Sequence, residues 1–336
     1  MNFGKGGCDA QAVNTSKRQI QGGLMNKPKY VSANILLALI LLFAGFQQST
    51  FAQDKISANQ TAAITATESP VSIANKSYVV PGILTVPSTA TKEHPAPAVL
   101  LLHGTGGNKN ELGDIYKRLA AKLAANGYAS LRIDFVGGGD SKVPYVYNNF
   151  DDSVLDANQA IAFLANNPLV DKTRIGVLGW SQGGRIAQVV AARNESVKAL
   201  VTWASASSNG ATDFEDMFKY EEQAIKNGYY DFVLPWGSKL RLGKQWFVAM
   251  KNSKAMEEIK QYKGPLLAIH GSLDVIVVPA KSRELLKNAG SNDATLRILD
   301  KADHGFLIVK GDSLNPDQST PEELLKITVD WLAEKL

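Results

Sequence analysis

Beyond about residue 76, apolar residues fall into short, nearly unbroken runs separated by longer stretches of helical periodicity. The runs Ala98 to His103, Ala129 to Phe135, Arg174 to Trp180, Ala199 to Trp203, Leu266 to His270 and Leu296 to Leu299 predict strands buried on both faces. Between them, helices are predicted near Asn110 to Asn126, Ser153 to Asn166, Gln182 to Arg193 and Ala280 to Asn288. A last helix is predicted from about Pro321, with Thr320 as its cap. Alternation of this kind implies an α/β fold, a mostly parallel sheet covered by helices on both faces. Ahead of it, Tyr78-Val79-Val80 and Ile83 to Val86, broken by Pro81-Gly82, predict an antiparallel hairpin.

The rhythm breaks between about residues 207 and 262. These 56 residues hold 10 of the chain's 27 aromatic side chains, some at helical spacing, as in Phe214, Met217 and Phe218. A small helical cap inserted into the α/β domain is expected. Its aromatics either form the cap's own core or turn a subset, here Phe218, Tyr230, Trp236 and Trp246, toward a substrate pocket.

The first 52 residues have the layout of a secretory signal rather than of a fold. Lys27 and Lys29 precede an apolar run of 12 residues, Ile35 to Phe46, and Thr50-Phe51-Ala52 offers a small-residue cleavage site. A membrane span takes about 20 residues, so an exported protein, periplasmic or secreted, is expected, with a retained anchor as the alternative. Met25, just ahead of Lys27, is the expected start of translation. Residues 53–75 are expected to form a flexible lead-in and residues 76–336 the folded domain.

Setting the leader aside changes the electrostatic picture. The whole chain has 36 basic and 32 acidic residues, whereas residues 53–336 have 31 of each. A balanced charge gives no reason to expect nucleic acid or an anionic membrane as partner. The single cysteine, Cys8, lies in the leader, which leaves no thiol nucleophile, disulfide or cysteine metal site in the rest. No metal or other cofactor is expected, because no His and carboxylate cluster stands at metal-ligand spacing.

Candidate chemistry concentrates at strand ends. Gly179-Trp180-Ser181-Gln182-Gly183 lies where a predicted buried strand gives way to a predicted helix, the context in which G-x-S-x-G forms a nucleophile elbow. Small neighbours let the turn close around a strained Ser, and the helix behind it aims free N–H groups at a developing oxyanion. A Ser hydroxyl needs a base, and the base needs an orienting carboxylate. Of four histidines, His304 lies in the loop Ala302 to Gly305 between the last strand and the last helix, matching the Ser, acid, His order of that motif. Asp274 follows the strand that ends at His270-Gly271 and is the expected acid. Its rivals Asp300 and Asp303 lie too near His304 in sequence to reach the ring from a separate strand end. The loop His103-Gly104-Thr105-Gly106-Gly107 is expected to lend the N–H of Thr105 as a second oxyanion donor beside the N–H of Gln182. His103 itself is expected to shape this loop. The loop lacks the Lys-Ser/Thr ending of a nucleotide-binding loop.

His103-Gly104, Gly179-x-Ser181-x-Gly183-Gly184, His270-Gly271-x-x-Asp274 and Asp303-His304-Gly305 together resemble the α/β-hydrolase superfamily. The resemblance is to serine esterases near the feruloyl and cinnamoyl esterases, to dienelactone-hydrolase-like proteins and to the catalytic domains of prolyl-oligopeptidase-type peptidases. It covers about residues 76–336 and implies an α/β-hydrolase fold with a cap insertion. Asp134 to Ser141 looks like the D-x-R-G-x-G-x-S loop of such enzymes, with Val136 where Arg is usual and Gly138 where His is common. Ser181 stands where true dienelactone hydrolases carry Cys, which points away from that particular activity. What the resemblance implies is a metal-independent carboxylesterase acting on a small-molecule ester. Ser181 would form an acyl-enzyme, His304 would carry the proton and Asp274 would orient His304. Hydrolysis of small peptides or amides is the enzymatic alternative, and a non-catalytic binder on the same fold is the other.

Overall fold

The structure, a computed structural model, describes residues 64–336 apart from 76–77 and 235–236. The expected leader with its apolar run, Met25, the first part of the lead-in and Trp236 lie outside the described residues. In chain order the main strands are β1 (Ala66–Asn75), β2 (Tyr78–Pro87), β3 (Ala96–Leu102), β4 (Ala129–Ile133), β5 (Val170–Trp180) and β6 (Val197–Trp203). There follow β7 (Tyr229–Val233), β8 (Lys239–Gly243), β9 (Leu266–Gly271) and β10 (Ala294–Leu299). The helices that place the site are α1 (Ile115–Ala125), α2 (Phe150–Ala165) and α3 (Gln182–Arg193). The cap holds α4 (Glu215–Phe218), α5 (Glu221–Asn227), α6 (Lys244–Asn252) and α7 (Ala255–Glu258), and α8 (Ala280–Asn288) and α9 (Ser319–Lys335) complete the core.

Eight strands form one sheet in the order β1-β2-β4-β3-β5-β6-β9-β10. From β4 to β10 the neighbours are parallel, while β2 is antiparallel to both β1 and β4. β3 is buried along its whole length, as a run without polar residues must be in a sheet covered twice. Its side chains divide with period two: Leu100 and Leu102 enter one apolar cluster, Val99 and Leu101 the other. Ile115, Leu119 and Leu123 of α1 and Leu324, Leu325 and Leu332 of α9 fill the second cluster, and Ile161 of α2 and Ile186 and Val190 of α3 fill the first. From β3 the chain winds first toward β4 and then back past β3 to β5. That reversal falls between β3 and β5, and open α/β sheets bind ligands beyond the carboxyl ends of the strands at such a point.

Three expectations need correction. Pro81-Gly82 does not turn the chain: β2 runs straight through it, and its antiparallel partner is β1, which lies inside the expected flexible lead-in. The first five residues of β1 are exposed on both faces, so no alternation marks them as a strand. Pro81 is tolerated because the β2–β4 ladder begins at Gly82, and the Pro81 carbonyl accepts from Asp134 N–H at 2.8 Å just past its end. At the other end of the chain, α9 starts at Ser319. Thr320 and Pro321 lie inside its first turn, and Asp317 accepts from the Ser319 N–H at 2.9 Å. The cap, finally, is not purely helical, because β7 and β8 form an antiparallel hairpin within it.

The cap departs after β6 and the chain returns in β9, two strands that pair directly with each other. One buried cation ties the neck of this excursion to the core. Arg185 on α3 is fully buried and donates to the carbonyls of Ala206 (3.0 Å), Ser208 and Gly210 (3.3 Å) and to Ser253 Oγ (2.6 Å), with Asp213 beside it. A guanidinium so enclosed depends on these acceptors, which take up its two terminal nitrogens.

Candidate active site

Ser181 sits between β5 and α3 with φ 56° and ψ −119°, a conformation that non-glycine residues rarely adopt. Neighbouring strands hold it there. Its N–H donates to the Trp203 carbonyl at the end of β6 (2.9 Å), and its carbonyl accepts from Ala206 N–H (3.2 Å). Glycines flank it because nothing larger fits: a Cβ on Gly179 would collide with the Gly183 carbonyl, and one on Gly183 with the carbonyls of Leu102 and His103. The strained turn is thus wedged against the end of β3, and α3 begins at Gln182 directly after the Ser.

The loop after β3 reaches the same place. His103 donates from Nδ1 to the Gly104 carbonyl (2.9 Å) and accepts at Nε2 from Phe135 N–H (3.0 Å), which fixes a neutral ring. Burial holds its pKa below the usual histidine value. His103 therefore shapes the loop. The Thr105 hydroxyl donates to the Gln182 side-chain carbonyl at 2.7 Å, which brings the two expected oxyanion residues together. The Gly104 N–H is directed instead at the carboxyl of Glu111, a residue that the sequence pattern did not single out. Some of the Glu111 side chain still meets solvent, yet burial pushes its carboxyl up to about 7 against the pull of hydrogen bonds from Gly104 and Leu112 N–H.

Asp274 and His304 come from separate strand ends. The loop after β9 is fastened to the loop after β10 by Ser272 N–H to the Leu299 carbonyl and by Leu273 N–H to the Ala302 carbonyl, at 2.9 and 2.8 Å. Across this junction His304 Nδ1 lies 2.8 Å from Asp274 Oδ2. Asp274 Oδ1 accepts from Ile276 and Val277 N–H, each at 2.9 Å. Burial works to raise the Asp274 pKa, but hydrogen bonds from His270, His304 and Val277 outweigh it and hold the carboxyl down to about 2. The group is an anion. The His304 ring packs 6.2 Å from the ring of Trp180, the residue before Ser181, which sets the imidazole against the Ser181 turn. His270, read from the sequence only as a strand end, proves to contact Asp274 as well: its Nε2 lies 3.1 Å from Asp274 Oδ2.

The aromatic pocket candidates fare differently. Trp246 is fully buried in the cap's own core among Phe214, Phe218 and Phe247, at ring distances of 5.5, 5.8 and 5.0 Å. Tyr230 stacks on Tyr220 at 4.1 Å. For Trp246, with no surface to present, the pocket-wall expectation is corrected to packing. The cap side chains that do approach the Gly-rich loop are Leu234 and Leu240, which stand 3.3 and 3.1 Å from where a Gly106 Cβ would be. Neither carries a spacing signal. Among the described residues, no group of three or more His, Cys, Asp or Glu side chains is arranged to hold a metal ion.

Residues 81–336 match the dienelactone hydrolase family. The chain belongs to that family. Its curated relatives include esterase EstD of Thermotoga maritima, 25% identical over 264 residues, a match that covers 74% of this chain and 61% of that protein. The chain spans between 47% and 61% of the length of the curated relatives it matches. Among solved structures, Est1E from Butyrivibrio proteoclasticus with bound ferulic acid superposes with a TM-score of 0.63 at 18% identity, covering 79% of this chain and 98% of that one. The dienelactone hydrolase from Anabaena variabilis gives 0.55 at 19% identity, covering 81% and 99%. At these identities the likeness is one of architecture, and the architecture is the α/β-hydrolase fold.

Proposed function

We propose that this protein hydrolyses carboxylic esters through an acyl-enzyme on Ser181. The observation that carries the reading is the 2.8 Å Asp274–His304 hydrogen bond beside the strained Ser181 turn. In the proposed cycle His304 takes the Ser181 proton as the oxygen attacks the ester carbonyl, and the N–H groups of Thr105 and Gln182 receive the negative charge. Returning that proton to the leaving alcohol leaves an acylated serine. A water then repeats the sequence to release the acid and regenerate Ser181. Nothing in this cycle calls for a metal, so EDTA is expected to leave turnover unchanged. The esterase relative supports ester over amide chemistry, and the Est1E neighbour with ferulic acid supports an aryl or acyl ester as substrate.

The test is a panel of p-nitrophenyl esters of graded chain length with methyl ferulate and matched amides, run on wild type and Ser181→Ala. Wild type is expected to prefer esters by kcat/KM and to be labelled by a fluorophosphonate, and the variant to show neither turnover nor label. More than a few per cent of residual activity in the variant refutes the reading. Export is proposed alongside, on the strength of Lys27, Lys29 and the apolar run. N-terminal sequencing of protein recovered outside the cytoplasm checks it.

A further inference from the structure

One carboxylate oxygen of the site serves two imidazoles. Asp274 Oδ2 lies 2.8 Å from His304 Nδ1 and 3.1 Å from His270 Nε2. The second ring is fully buried, whereas His304 retains some exposure to solvent. His270 Nε2 also lies 2.6 Å from the Val277 carbonyl. A carbonyl oxygen only accepts, so this nitrogen carries a hydrogen, shared between Val277 and Asp274. On the far side of the ring, Nδ1 is 2.7 Å from Ser282 Oγ on α8, a hydroxyl able to donate to it. The result is a continuous chain of hydrogen bonds from Ser282 through His270 and Asp274 to His304.

We propose that His270 is a positioning residue for the proton transfer: as a neutral imidazole donor it fixes Asp274 Oδ2 and limits how tightly the carboxylate holds the His304 imidazolium. This rests on the serine-hydrolase reading above. Two imidazolium rings on one carboxylate repel each other, and a cation in the His270 site would forgo hydration that His304 keeps. A hydrogen bond from Ser282 occupies the lone pair where a second proton would bind. Other charged groups around the ring are engaged elsewhere. Lys281, next to Ser282, reaches Asp213 Oδ1 at 3.0 Å and Ser208 Oγ at 2.5 Å. Asp300, beyond the neighbouring strand β10, accepts from Ser272 Oγ at 3.5 Å, and Asp303 accepts from Leu307 N–H at 3.0 Å. The two backbone bonds on Oδ1 hold one end of the carboxylate, and His270 holds the other. Asp274 is thereby fixed in rotation as well as in charge.

Two measurements test this. In the wild-type protein, whose four histidines make side-chain nitrogen NMR tractable, His270 is expected to keep the neutral Nε2–H tautomer over the whole pH range in which His304 takes up its proton. Protonation of His270 together with or before His304, or an Nδ1–H tautomer, overturns the proposal. In the second measurement, His270→Leu removes the donor. Asp274 then holds the His304 imidazolium more tightly, so the acid limb of the kcat/KM profile moves up by about one pH unit. At a fixed pH below that limb the loss is about tenfold, in kcat rather than KM. His270→Gln, which keeps an N–H toward Asp274, is expected to recover most of it. A folded His270→Leu with the wild-type profile overturns the proposal, and if that variant does not fold the NMR result decides. Ser181→Ala is assayed beside them. If it stays active, the hydrolase reading itself has failed and this inference falls with it; if it is inert while the His270→Leu profile is unmoved, the inference alone has failed.

Discussion

Thr105 and Gln182 meet through their side chains, hydroxyl to carboxamide at 2.7 Å, although 77 positions separate them in the chain. The bond joins the loop after β3 to the first residue of α3, so the two backbone donors expected to face an oxyanion are held at a fixed spacing. Thr105→Val keeps the shape of the side chain and deletes the bond. Its kcat is expected to fall by about tenfold with KM little changed, because the bond positions donors that act mainly in the transition state. A steady-state comparison on one p-nitrophenyl ester checks this, and an unchanged kcat shows that the loop holds its geometry without the tether.

Asp274→Asn is expected to lower kcat by about 10³–10⁴, since an amide neither stabilises the His304 imidazolium nor selects its tautomer. Stability supplies a second readout. Asp274 is held down to about 2 in the folded protein, against about 3.9 for an unfolded chain. A depressed carboxyl contributes stability that is present above the unfolded value and is lost as pH falls through the folded one. Denaturant unfolding of wild type is therefore expected to weaken between about pH 4 and pH 2 more steeply than that of Asp274→Asn.

Glu111 has the opposite sign. Its carboxyl is raised to about 7, so the folded state binds this proton more tightly than the unfolded chain does, and stability declines as pH rises from about 4.5 through about 7. Glu111→Gln keeps an acceptor for the Gly104 N–H and carries no charge. It is expected to be more stable than wild type at pH above 7 by about 1–2 kcal/mol, less than the whole shift because part of the side chain meets solvent, and to match wild type at about pH 4. Equal unfolding curves at both pH values count against a carboxyl titrating in this place.

In the cap, Leu240→Ala and Trp246→Ala are expected to separate pocket from packing. Trp246 lies entirely within the cap core, so its truncation costs about 3–5 kcal/mol of stability and leaves acyl preference alone. Leu240 abuts the Gly-rich loop, and its truncation is expected to shift the ratio of kcat/KM between short and long acyl esters by about tenfold, the scale of a reshaped apolar pocket. A Trp246→Ala protein with altered acyl preference contradicts this assignment.

The parts of the molecule legible in the sequence are those whose chemistry leaves little choice. β3 reads Ala-Pro-Ala-Val-Leu-Leu-Leu and every residue is buried, so hydrophobicity alone marks it. Asp274 lies just beyond the fully buried β9 and His304 beyond the edge strand β10, and those positions at strand ends are enough to pair them. β1 is an edge strand whose exposed first half lacks alternation, and Pro81-Gly82 mimics a turn inside β2. Aromatic density in the cap left core and pocket wall open: large rings at helical spacing satisfy one another, as Phe214, Phe218 and Trp246 do, and the two leucines at the loop announce nothing. His270 was visible as a residue, but its contact with Asp274 depends on how the β9 turn folds back.

Because β6 and β9 pair directly, the sheet is continuous without the residues 204–265 looped out between them. The insertion beside the Gly-rich loop is in this sense an interchangeable part. Its compatibility rule is written in Arg185, which sits on the core helix and draws most of its acceptors from the neck of the insertion. A transplanted cap of any length or composition fits this scaffold only if its two ends again present a ring of oxygens around that guanidinium. One that does not leaves an uncompensated cation one helical turn from Ser181.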